Sequence, residues 1–91
     1  MKAYQVTETF RKTSIETGED LGCFNMRQFF TSMKKAKRHI EIGAYVHGLT
    51  LADMSRGGEP LFIPSEGERL FESEGRSFKF IAYSIEKINI K

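Results

Sequence analysis

The sequence predicts an α+β fold: a small antiparallel β-sheet with one main amphipathic basic helix packed on one face. Three observations carry that expectation. Segments near both ends alternate polar and apolar residues with the two-residue period of a strand. Residues 25–43 instead repeat their apolar positions at three- and four-residue steps. Clusters of Gly, Ser, Asp and Glu punctuate the rest as turns. Ninety-one residues make one domain, residues 1–91, with room for a single modest core.

Tyr4, Val6 and Phe10 fall on one side of an extended segment over residues 2–12, with Gln5, Thr7, Thr9 and Arg11 on the other. Residues 16–19, centred on Gly18, have turn chemistry, and residues 21–24 then read as a short return strand. Cys23 on that strand is expected as a small buried thiol. The hairpin leads into the helix. Asn25 is its expected N-cap, Gln28 the capping-box partner, and Phe24 with Phe29 a hydrophobic staple. Met26, Phe29, Phe30, Met33, Ala36 and Ile40 form its apolar stripe, and Gly43 offers a left-handed stop. With Phe29 in the core, its replacement by Ala would cost about 3–5 kcal/mol.

Beyond Gly43, residues 44–47 read either as more helix or as an extended run, and residues 50–53 as one further helical turn. Residues 55–60 are a loop by composition. Leu61, Phe62 and Ile63 form a short strand or plug closed by Pro64. Residues 68–72 and 77–90 are expected to pair as a second hairpin around residues 73–76. In that last strand Phe78 and Phe80 point one way and Ile81, Tyr83 and Ile85 the other, while Ile88 and Ile90 return to the first parity. The pattern suits a long central strand, apolar on both faces or bulged near Glu86 and Lys87.

Composition narrows the chemistry. A hydrophobic share of 40% and a charged share of 29% are ordinary for a globular chain, and eight Phe supply much of the core in the absence of Trp. One Cys forms no intramolecular disulfide. The first ten residues lack a signal-peptide run, no stretch is apolar enough to span a bilayer, and a reducing cytoplasm is the expected location. His39 and His47 lack a set of Cys or carboxylate ligands, so no metal or other cofactor is expected. The pair Gly57 and Gly58 lacks the strand, helix and Lys of a phosphate loop. Neither an enzyme nor a small-molecule substrate is indicated.

Charge is separated along the chain. Residues 26–43 carry five Lys or Arg against Glu41 alone, whereas residues 59–74 carry five Glu against Arg69. Arg27, Lys34 and Arg38 lie at offsets of seven and four, which places them on one helical face flanked by Lys35 and Lys37. Arg56 adds a single RGG-like copy in the loop. These six are the candidate partner-binding residues, able to neutralise phosphates or to meet an acidic protein groove. A solvated helix whose bases stand late, where the dipole favours them, is the competing account. Sequence-specific DNA reading is disfavoured, because no helix-turn-helix partner accompanies the helix.

The opening hairpin, the capped basic helix and the closing run Tyr83, Ser84, Ile85, Glu86, Lys87, Ile88, Asn89, Ile90 resemble the small anti-CRISPR proteins encoded by phages, which disable type I surveillance complexes. The resemblance covers the general layout of the chain. It implies an inhibitor in the host cytoplasm that docks on a multi-subunit protein–RNA complex of Cas proteins and guide RNA, and blocks recognition of target DNA. The residues 34–38 would then face guide-RNA phosphates or an acidic protein surface. Two other readings stand beside it: a small nucleic-acid-binding regulator using the basic helix, and an assembly protein that pairs through a strand edge.

Overall fold

The N-terminal alternation does form a strand, and it is the longest partner of the last one. β1 (Lys2–Ser14) turns back into β2 (Asp20–Phe30), followed by α1 (Met33–Val46), β3 (Thr50–Asp53), β4 (Leu61–Glu66), β5 (Leu70–Ser73) and β6 (Arg76–Asn89). This computed structural model describes residues 2–89, so the expectation for Ile90 lies outside the described residues. The sheet is antiparallel throughout, in the order β2-β1-β6-β4-β3, with β5 beside the first half of β6. One helix on one face of an antiparallel sheet agrees with the α+β expectation, although the sheet dominates and the helix is shorter than anticipated.

The helix boundary is the main correction. Residues 26–30 are strand: Met26 stands opposite Glu8, Arg27 opposite Thr7 and Phe30 opposite Tyr4. The N-cap is Ser32 rather than Asn25, with its Oγ accepting from the backbone N–H of Lys35 at 3.1 Å. A strand as long as β1 offers a ladder to a long partner, and Phe29 and Phe30 favour that pleated surface over a helix. The apolar stripe that survives is Ala36, Ile40 and Ala44. Gly43 lies inside the helix instead of ending it. The stop is Gly48, whose φ of 66° closes a Schellman turn in which Leu49 N–H reaches Ala44 O at 2.8 Å.

Under α1 lie Val6 and Phe10 of β1 and Phe80, Tyr83 and Ile85 of β6, all buried. β6 does change faces. The extra residue is Ile81, where the β1 register jumps from Thr9–Ala82 to Phe10–Phe80, and not the expected Glu86 and Lys87. That bulge lets Phe78 and Phe80 share the helix side with Tyr83 and Ile85. Residues 50–53 form a strand against β4 rather than a helical turn, and Pro64 stands opposite Leu51 beside the extra residue Ser65, where the register shifts. The second hairpin forms around Ser73 and Arg76 as anticipated. Cys23 is exposed on β2, contrary to the buried thiol expected.

Candidate functional site

Lys34, Lys35, Lys37 and Arg38 stand on the first two turns of α1, and all four are exposed. At 100° per residue, burial of Ala36, Ile40 and Ala44 sends Arg38 outward, with Lys34 and Lys35 on either side of it. Lys35 lies on the shoulder nearer β2, where its Nζ donates to Thr31 Oγ1 at 3.1 Å. Lys37 lies on the opposite shoulder, toward β3. Asp53 there is held below the usual carboxylate range, mainly by hydrogen bonds from Ser55 and in smaller part by the Lys37 charge.

Because the helix starts at Met33, these bases occupy its N-terminal half. The first turn holds no acidic residue and the last no basic one. Cations in the first turn, here Lys34 and Lys35, are unfavourable by about 0.3–1 kcal/mol each at a surface, and the dipole gives Lys37 and Arg38 no support. The account in which the dipole favours these bases therefore fails. Among the described residues, none of the four makes a salt bridge. The result is a patch in which side-chain charge and exposed helix N–H groups have the same sign, an arrangement suited to an anion.

The other two sequence candidates part company. Arg27 sits on β2, and its register with Thr7 places it on the sheet face away from α1, because Val6, Glu8 and Phe10 fill the helix side. It does not join the row. Arg56 closes the β3–β4 hairpin, exchanging backbone hydrogen bonds with Glu59 across Gly57 and Gly58. Those glycines have φ of 57° and 80°, the conformation of a two-residue turn that suits a hairpin. The segment is an ordered turn, and it holds Arg56 at the rim of an open groove of about 850 Å³. Met33, Met54, Pro60, Leu61 and Lys87 also line this groove. A shallower hollow of about 450 Å³ lies along Lys34, Lys37, Arg38 and Glu41 and shares Met33 with it.

A buried polar cluster escaped the sequence reading. Glu8 is only 9% exposed, and its Oε2 accepts from Arg69 Nη1 at 2.8 Å, while His39 Nε2 stands 3.6 Å from Oε1. The Arg69 guanidinium also lies 5.1 Å from the centre of the Phe10 ring. The cluster ties α1 to β1 and to the chain entering β5. One signal was available: Glu8 shares the parity of Tyr4, Val6 and Phe10, and an acid at a core position requires a cationic partner. Its role here is to position the helix.

Among the described residues, no group of three or more His, Cys, Asp or Glu is arranged to hold a metal ion, and no helix is long and apolar enough to cross a membrane. Compared with known proteins, the chain matches no family model, no curated protein and no solved structure.

Proposed function

We propose that this protein is a non-enzymatic binding protein that docks through the N-terminal half of α1 on the phosphates of a host protein–RNA complex. The reading is carried by one observation: four exposed bases gathered in the N-terminal half of α1, without a carboxylate partner among the described residues. Such a cluster costs fold stability at low salt, so a bound polyanion is its natural counterpart. The resemblance of the chain's general layout to phage anti-CRISPR proteins supports a finer reading, an inhibitor that occupies a CRISPR–Cas surveillance complex and blocks its recognition of target DNA.

The test is a pull-down of the tagged protein from bacterial lysate, with and without nuclease, followed by the triple variant Lys34→Glu, Lys35→Glu, Arg38→Glu. The reading expects a stoichiometric Cas complex that the folded triple variant fails to recover. Recovery of free nucleic acid alone, lost steeply as salt rises, would replace it with a nucleic-acid-binding regulator.

A second reading has its own observation. β2 is an eleven-residue edge strand that carries Phe29 at 62% exposure and Met26 at 42%. An edge of that length is a template for pairing with another chain. Self-association that survives high salt would favour an assembly protein.

A further inference from the structure

We infer that the groove beside the C-terminal half of β6 receives a short extended segment of a partner protein, acidic on the side that faces α1, which joins the sheet as an added strand. The inference concerns a different surface from the phosphate-docking row and stands whatever complex that row binds.

The groove runs along a strand edge and not over a sheet face. Four consecutive residues of β6, Ser84 to Lys87, line it, whereas one face of a strand presents only alternate residues. β4 pairs with β6 only at Phe62–Tyr83 and Leu61–Ser84, and the last backbone bond on that side runs from Ile85 N–H to Pro60 O at 3.2 Å. Pro60 has no N–H to continue the ladder, and beyond it the β3–β4 hairpin turns away. Since the Ile85 N–H points toward β4, antiparallel alternation directs the Lys87 N–H and C=O to the same side, into the open groove. The Ile88 backbone points instead toward β1, where Ile88 stands opposite Ala3. Among the described residues, the edge of β6 beyond Ile85 is thus left unpaired beside the open groove that Arg56 and Glu59 border.

Charge and shape select the occupant. Lys87 shares the helix side of β6 with Tyr83 and Ile85, while Arg56 at the groove's rim is matched by Glu59 across its own turn. Met33 and Met54 give the groove an apolar, adaptable wall. Glu86 projects to the opposite face. An added strand would therefore place acidic or apolar side chains toward α1, while its backbone takes up the Lys87 amide. Single-stranded nucleic acid fits less well: it offers no regular backbone partner for a strand edge, and the groove is lined by no aromatic ring for a base to stack on.

The probe is an acetylated, amidated eight-residue peptide of alternating Val and Glu, titrated into the isotope-labelled protein. Its control has Lys in place of each Glu. In the free protein the Lys87 amide should exchange with water at least tenfold faster than that of Ile88. The Glu peptide should slow Lys87 exchange at least tenfold without altering Ile88, and the Lys peptide should leave both unchanged. Lys87→Pro removes the open-edge donor together with the Lys87 charge and should weaken peptide binding at least tenfold, more than Lys87→Ala, which removes the charge alone, while the protein stays folded. An unchanged Lys87 amide at saturating peptide would overturn the inference even where the variant is unstable. So would perturbation of the Met33 and Met54 methyls by a thymidine octamer but not by the peptide.

Discussion

Gly43 of α1 sits so close above Tyr83 of β6 that a Cβ placed on it would stand 2.6 Å from the phenolic oxygen. The glycine is there for proximity, since its backbone is helical. Tyr83 is 1% exposed. Arg69 lies near enough to lower its pKa, but among the described residues the hydroxyl has no hydrogen-bond partner by geometry, and burial followed by the Glu8 charge drives the pKa above its usual value. Gly43→Ala should destabilise the protein by about 1–3 kcal/mol through overpacking, although Ala is the better helix former. Tyr83→Phe removes an unpaired buried hydroxyl and should raise stability by about 1 kcal/mol. In the Tyr83→Phe background, Gly43→Ala should turn neutral or stabilising. Urea melts of the four proteins form the cycle, and additive effects would refute the contact.

Glu8 and Arg69 should show the asymmetry of a buried ion pair. Arg69→Met leaves a carboxylate buried beside His39 alone and should cost about 3–5 kcal/mol, much of the stability of a chain this size. Replacing both residues by Met should return the protein to its starting stability or above it. Equal losses in the single and double variants would show that the pair contributes more than mutual compensation.

Phe29 and Phe10 separate the two descriptions of residues 26–30. With Phe29 exposed on β2, Phe29→Ala should cost less than about 1 kcal/mol, far from the loss expected of a core residue. Phe10, fully buried among Phe24, Phe71 and Phe80, should cost about 3–5 kcal/mol on the same change. Thermal melts decide it.

His47, the C-cap of α1, is held below its ordinary pKa of 6.5 by burial first and by the Arg69 charge second, with Glu8 opposing. Its neutral form is therefore favoured by folding. The contribution is complete above the unfolded pKa and declines as pH falls through that value and below it. An NMR titration should place the midpoint below 6.5 in the native protein. In the Glu8→Met, Arg69→Met double variant the midpoint should rise yet stay below the ordinary value, because the partial desolvation of this otherwise exposed ring remains.

What the sequence determined by itself was periodic and local. The alternation of Tyr4, Val6 and Phe10 and the turn at Ser73 and Arg76 are written in residues a few positions apart, where steric preference and side-chain parity act directly. The cluster of bases from Lys34 to Arg38 was legible in the same way, as composition. Tertiary structure alone decided the rest. Met26, Phe29 and Phe30 fit a helical stripe as well as a strand, and the choice fell to β1, whose length offers a ladder that no local preference can outweigh. That choice moved Arg27 to the far face of the sheet and set the remaining bases at the wrong end of the dipole for stability. The Glu8–Arg69 pair and the open edge at Lys87 join residues far apart in the chain, and their juxtaposition exists only once the sheet has been assembled.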